Sequence, residues 1–484
     1  MDLSLESRII SFIKRRLWLL LTFVALFVGF AVAWKGILMG IVLLALAIGI
    51  PFVVVCIVSK KVAVVSIVTI SSFIFVVNRI VGFTLPSGIL IDGLLFCALL
   101  GIISKSSKKR TELKSMIRNP VSVVIFFTFI YFLLQAFNPE GSTKAWLVGM
   151  RGMGSFLVAY YVFSETFDSM KFVVLFTKFW LAVCILAALY CFYQEFVGLP
   201  SYDLRWVTEN ETRKGLNWIQ GRWRKWSFFS DVAAFGMMMA FSSIFTIVLA
   251  TGPFQRRTKF RLLLAGGCMI LAMVYSGTRG AYAMIPVGFT FFALATLNSR
   301  RTLVLSIIGV VGILFLLFGP FYSGPINRIR STFEPSKDPS MIVREENRNQ
   351  ILPYIYEHPM GGGVYTSGTF GVLYAPRHPL AGFPPDSDYF ETVLETGWIG
   401  LILHLLLYAV VMVVGIVNYY KTVDKKIRVF YLAYLSAFFA LTIAAFVKKA
   451  VDQFPLGFIV GAIYVLMPKL VTFDTSKEIE TPPE

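Results

Sequence analysis

Arg279 stands in Tyr275-Ser276-Gly277-Thr278-Arg279-Gly280-Ala281, a break of a few residues between two apolar stretches, each long enough to cross a bilayer. A guanidinium there is costly unless something anionic meets it. The flanking glycines let the backbone approach a ligand and present its N–H groups, which with the guanidinium makes a cradle suited to phosphate; the plainer reading is an interhelical turn whose arginine snorkels to water. Three other segments carry chemistry. Arg222-Trp223-Arg224-Lys225-Trp226 is basic and aromatic, fit either for an anion or for anchoring at a headgroup boundary. Arg344 and Arg348 are four apart, so on a helix they share a face and can grip one anion, unless Glu345 and Glu346 neutralise them. Asp386-Ser387-Asp388, followed by Glu391, has the D-x-D form that holds a divalent metal in nucleotide-sugar transferases. Such sites occupy soluble α/β domains, and no βαβ pattern exists here; Asp and Ser before a helix also cap it.

The elements that position these groups are membrane-spanning. The chain has 484 residues, 57% hydrophobic and 15% charged, with a mean hydropathy of +0.74. Those values exclude a soluble globular protein. The fold class is therefore an all-α polytopic integral membrane protein, with about 12–14 transmembrane helices and one large external loop containing short helices. Apolar runs place spans near 18–34, 37–58, 62–80, 85–103, 120–137, 146–163, 172–195, 228–250, 262–277, 281–298, 302–319, 396–419, 429–447 and 455–471. They divide into N-terminal helices (1–136), central helices with an external loop at 196–227 (137–320), a large external loop (321–394), and C-terminal helices with a short acidic tail (395–484).

Basic connections at 14–16, 60–61, 105–118, 256–261, 300–301 and 421–428 fall on one face, which the positive-inside rule makes cytoplasmic, as are both termini. The long connections on the other face are also basic, carrying Arg205, Arg213, Lys214, Arg222, Arg224, Lys225, Arg328, Arg330, Arg344, Arg348 and Arg377. Solvated loop charge and a site for an anionic ligand both account for this, and arginine is the side chain suited to forked recognition of phosphate. Nothing in these loops reads as a nucleic-acid module, so the formal charge of +18 points to lipid or an anionic ligand. Cys56, Cys97, Cys184, Cys191 and Cys268 all lie in apolar runs without a CxxC pair, which reads as packing; neither a metal site nor a cofactor is expected.

In order and spacing, residues from about 220 to 410 resemble the bacterial O-antigen ligase and polymerase family of membrane glycosyltransferases. The resemblance rests on the Arg- and Phe-rich entry to one span and the S-x-[ST]-R-G-like break at Ser276 to Gly280. An R-x(10)-P-x-G-x-G-like element at Arg348, Pro359, Gly361 and Gly363 follows in the large loop, and then an E-x-G-x-x-G-like helix start at Glu395, Gly397 and Gly400. It implies transfer of glycan from a polyprenyl-diphosphate-linked donor to a glycan or glycolipid acceptor, inverting and without metal, at the external face of the bacterial cytoplasmic (inner) membrane. Arg224 and Arg279 would hold the diphosphate, with Arg344 or Arg348 assisting.

This chain departs from the family at Asp386-Ser387, where relatives carry a histidine and a small polar residue; His378 lies too far upstream to align. A general base would have to come from Asp386 or Asp388, with Glu391 and His378 as further candidates. A ligase attaching glycan to a lipid A core and a transporter of a lipid-linked saccharide are the alternatives. Charges gathered at one face and the lack of an internal repeat favour the enzyme over the transporter. Single cysteines near 215 and 335 are expected to react with an impermeant thiol reagent in intact cells, and one near 258 to stay unlabelled. The reversed pattern would overturn the external placement.

Overall fold

The computed structural model describes residues 33–104, 118–219, 221–297, 339–449, 451 and 453–475, with single positions at 16, 22, 23, 25, 26, 29 and 30. The expected span at 302–319, most of that at 18–34, and Arg328 and Arg330 lie outside the described residues. Nine of the described helices are long and apolar enough to cross a membrane, and the only strands among the described residues are one two-residue pair. The protein is an all-α polytopic membrane protein.

The N-terminal helices are α1 (Ile37–Val58), α2 (Lys60–Val81), α3 (Ser87–Ser104), α4 (Pro120–Leu134), α5 (Thr143–Thr166) and α6 (Met170–Phe196). Helix α5 covers the expected 146–163 span but is not among the nine; its Arg151 pairs with Asp92 of α3 at 2.7 Å. Two short helices, α7 (Ser201–Thr208) and α8 (Glu211–Asn217), lead into a hairpin of β1 (Trp218–Ile219) and β2 (Arg222–Trp223). Then come α9 (Val232–Leu249), α10 (Arg256–Ser276) and α11 (Arg279–Ala295), and after the undescribed segment α12 (Pro339–Glu357), α13 (Gly368–Tyr374), α14 (Asp388–Lys421), α15 (Lys425–Ala444) and α16 (Leu456–Lys469). Apolarity alone starts the 228–250 span four residues early. Asp231 sets the true start, its carboxylate accepting from the backbone N–H groups of Ala233 and Ala234 at 2.8 and 3.1 Å.

Helix α9 is the axis of the core and is buried along nearly its whole length. Small residues let its neighbours close in: a Cβ on Gly236 would stand 2.5 Å from Ser276 Oγ of α10, and one on Gly288 of α11 2.8 Å from Ile244 Cδ1. Helix α15 packs against both α9 and α11 and sets aromatic rings against α9, Phe245 and Tyr434 lying 4.6 Å apart.

The connections sort to two ends. At one, Lys61 pairs with Asp168 at 2.9 Å, Lys469 donates to Ser164 O, and Asp474 accepts from Val423 N at 2.7 Å. This end gathers the basic sequences at 60–61 and 421–428, as the charge pattern requires. The other end holds the candidate residues.

There α14 is two helices, not one. Gly397 has φ 68° and ψ −168°, and at this point the chain doubles back, so that 388–396 lies along 398–421. In a straight helix the sixteen residues from Asp388 to His404 would span about 24 Å; here the carboxylate of Asp388 is 3.3 Å from the His404 ring. The loop before α13 crosses this corner backbone to backbone: Gly362 N donates to Leu394 O, Gly363 N to Glu395 O, and Trp398 N to Pro359 O, at 2.9, 2.9 and 3.1 Å. A Cβ at Gly397 would lie 2.1 Å from Pro359 O. Gly397→Ala therefore meets both a left-handed φ and a carbonyl, and is expected to destabilise the protein by about 2 kcal/mol or more. A thermal melt in detergent checks this, and an unchanged midpoint would contradict the crossing.

Candidate functional site

The first half of the site is the break between α10 and α11. Gly277 ends α10 in a left-handed turn (φ 63°). Thr278 Oγ1 donates to Val232 O at 2.8 Å, tying the break to the start of α9, and Arg279 is the first residue of α11. Arg224 clamps this turn. Its Nε donates to Ser276 O at 2.9 Å, its Nη2 to Gly277 O and Thr278 Oγ1 at 3.1 Å each, and its Nη1 to Leu216 O at 3.2 Å. Lys225 N donates to Tyr275 O at 3.1 Å, and the Lys225 ammonium pairs with Glu195 at 3.0 Å, which also meets Arg222 at 3.7 Å.

A buried ion pair supports this layer. Arg79 of α2 meets Asp203 of α7 at 2.7 Å, and its Nη1 and Nη2 donate to Phe229 O and Ser227 O at 2.7 and 2.9 Å. Asp203 also accepts from Tyr190 and Gln194 of α6 at 2.8 and 2.9 Å. Burying these charges is tolerable because both groups are so fully bonded, and the result fixes the 224–231 loop.

The second half is the doubled-back segment and the helix above it. Ser387 caps α14, its Oγ accepting from Phe390 N, which is the capping role open to an Asp-Ser-Asp sequence. Asp386 and Asp388 then take different partners: Asp386 lies 3.6 Å from Arg344 Nε, and Asp388 turns inward to the Tyr408 hydroxyl at 3.2 Å and to His404. The Arg348 guanidinium sits over the rings of Phe390 and Phe446 at 4.8 and 5.4 Å, so the two arginines of α12 do address one stretch. Glu391 pairs with Lys449 at 2.7 Å. Both halves are held to helix α15: α11 packs along it, while Asp388 N donates to Ala445 O just past its end and Tyr389 donates to Thr442 O, at 3.0 and 2.6 Å.

Glu395 is the hidden anchor of the large loop. It is 6% exposed and accepts from Tyr365 N at 2.8 Å, Ser367 N at 3.2 Å and Ser367 Oγ at 2.5 Å. The P-x-G-x-G and E-x-G-x-x-G elements are thus one structural unit: the glycines permit the crossing and the glutamate caps the turn it creates. His378 belongs to the same loop; burial pushes its imidazole down toward the neutral form, and its Nδ1 accepts from Leu380 N at 3.1 Å. Burial likewise pushes the nearby Tyr354 phenol up to about 12. A Cβ on Gly362 would touch both side chains, at 2.6 Å from Tyr354 Oη and 2.8 Å from His378 Cε1.

Of the sequence-predicted residues, Arg224 joins the break that carries Arg279, and Arg344 and Arg348 join Asp386, Asp388 and Glu391. His378 stands apart, at the Gly362 crossing, and Arg222 is exposed beside Glu195. Sequence reasoning missed His404, Tyr408 and Lys449, and named Glu395 only as part of a helix-start motif. The visible signal for His404 was an imidazole in the apolar run Leu401-Ile402-Leu403-His404-Leu405-Leu406-Leu407, and only the reversal at Gly397 gives it a partner.

Comparison with known proteins bears on these same residues. Residues 264–405, from within α10 to just past His404, match the family described as O-Antigen ligase. Over 218 residues the chain is 28% identical to an O-antigen polymerase of Salmonella muenchen, a match covering 44% of this chain and 52% of that protein. The chain thus matches about half the length of this curated relative. The two findings support the O-antigen ligase/polymerase family, as the order of motifs predicted.

The bonds of Arg224 distinguish it from Arg279. Arg224→Lys keeps the charge but cannot reproduce four N–H···O bonds in a planar fork, so it is expected to lower the melting midpoint by several degrees, each lost bond being worth about 1 kcal/mol. An unaltered midpoint would show that the clamp does not hold the break.

Proposed function

We propose that this protein is a membrane glycosyltransferase that extends glycan chains. On this reading glycan passes from a polyprenyl diphosphate carrier to an acceptor sugar hydroxyl on the external face, by inversion and without metal. The observation that carries the reading is the clamped break at Ser276 to Gly280, which fixes Arg279 at the start of a helix. A helix N-terminus and a guanidinium together favour a diphosphate.

The chemistry needs two things of the protein. As the acceptor oxygen bonds to the anomeric carbon, the bond from that carbon to the phosphate oxygen breaks and its electron pair goes to the diphosphate. Arg279 stabilises that developing charge, Arg224 holds the turn that aims it, and Arg344 and Arg348 on α12 cover the site from the loop side. The acceptor's proton must go to a base, and Asp386, Asp388 and Glu391 are gathered at this end of the bundle to supply one. Polymerisation is favoured over attachment to a lipid A core by the name of the Salmonella relative.

Arg279→Lys retains charge and loses the two-pronged donor geometry, so it should be nearly as damaging as Arg279→Ala. Removing one charge-assisted contact in the transition state takes away about 3 kcal/mol, on the order of 100-fold in rate. Glycan chain length in a deletion strain complemented with each variant, normalised to protein in the membrane by immunoblot, measures this. Normal chains from a well-expressed Arg279→Ala protein would overturn the proposed function.

A further inference from the structure

Asp388 is 5% exposed, and a carboxylate so enclosed is costly unless it is paired. The neighbouring carboxylates have permanent cations against them, Glu391 with Lys449 at 2.7 Å and Asp386 with Arg344 at 3.6 Å. Asp388 differs. Among the described residues its side chain meets the Tyr408 hydroxyl at 3.2 Å and His404 Nε2 at 3.3 Å, with Lys449 acting from further off and Arg348 engaged over Phe390. The imidazole is wedged between aromatic rings, Tyr408 at 4.4 Å and Tyr389 at 5.7 Å, on a helix turn otherwise made of leucine and isoleucine. An ionisable side chain facing a buried carboxylate within an apolar span marks function, and here the fold goes to the length of reversing a helix to bring the two together.

Resting on the glycosyltransferase reading above, we propose that Asp388 and His404 act as a dyad that takes the proton of the acceptor hydroxyl. The acceptor O–H bond breaks as its oxygen bonds to the anomeric carbon; the leaving electron pair goes to the diphosphate, and the proton passes to the Asp388 carboxylate, which His404 holds in place from Nε2. Asp388 is the group that meets the acceptor. His404 is a positioning residue that acts through it, and Tyr408 holds the second contact on the same oxygen.

The test uses the full chain in lipid nanodiscs, with lipid-linked glycan extracted from a strain deleted for this gene as the probe. Asp388→Asn and His404→Gln are each expected to lower turnover on the order of 100-fold, with KM for the lipid-linked glycan changed less than about threefold. The double variant should be no more than a few-fold worse than either single one, because the two residues act as a unit. If His404→Gln does not fold, as judged by its melt, His404→Asn carries the same expectation. A spectroscopic arm needs no turnover: the chain has three histidines, His358, His378 and His404, so the ¹⁵N signals of labelled imidazoles can be assigned by single substitution. His404 should hold its proton on Nε2, and Asp388→Leu should abolish that preference. Full turnover by His404→Gln beside an inactive Arg279→Ala, additive losses in the double variant, or an imidazole signal indifferent to Asp388→Leu would overturn the dyad alone. Full turnover by Arg279→Ala would instead overturn the reaction it serves.

Discussion

The backbone crossing at Gly397 is the constraint on which the rest of this end of the molecule depends. Three backbone hydrogen bonds and the left-handed glycine turn a 34-residue helix back on itself, and without that turn Asp388 would stand far from the His404 and Tyr408 it now touches. The same crossing seats the large loop. Asn138 donates to Gly361 O at 2.9 Å and Tyr131 to Thr396 O at 2.6 Å, so the outer end of α4 clasps the corner from the opposite side. Non-helical backbone at such a site is tolerated because other protein groups satisfy its polar atoms.

Charge is managed differently at the two ends. At the basic end, lysines and carboxylates meet in exposed or half-exposed pairs such as Lys61 with Asp168, which contribute little individually and serve orientation. At the site end the arginines are sorted by task. Arg79 is buried with Asp203 and braces the 224–231 loop, Arg224 clamps the helix break, and Arg344 and Arg348 lie over the segment that carries the acidic residues. A basic loop composition thus conceals several distinct roles, and Arg279 differs from these four in standing at the first residue of a helix, α11.

How much of this was legible in the sequence follows from the range of the forces involved. Apolar runs located most of the long described helices to within about four residues because hydrophobic length is a local property; the misplacement at 228 arose because Asp231, a cap, outranks the apolar residues before it. The ordered set of motifs pointed to Arg224 and Arg279 but not to the bonds by which Arg224 holds the turn, and Arg344 with Arg348 was readable as a helical spacing. What could not be read was everything the reversal at Gly397 creates. A glycine in an apolar run gives no sign that its φ is positive, so 388–394 was read as the end of a loop before a span, and His404 drew no notice within that span. Glu395 and Ser367 are joined by a carboxylate that caps a distant turn, and no local pattern encodes such a bond.

The account stands on the claim that the lipid-linked glycan is cleaved from its carrier at this end of the bundle rather than carried across the membrane whole. The direct measurement is to seal the purified protein in liposomes with radiolabelled lipid-linked glycan and unlabelled acceptor chains, and to follow both the lipid and the glycan. The account predicts free polyprenyl diphosphate appearing in step with longer glycan chains, one carrier released per linkage formed. Intact lipid-linked glycan moving between leaflets, with no carrier released and no chain growth, would contradict it.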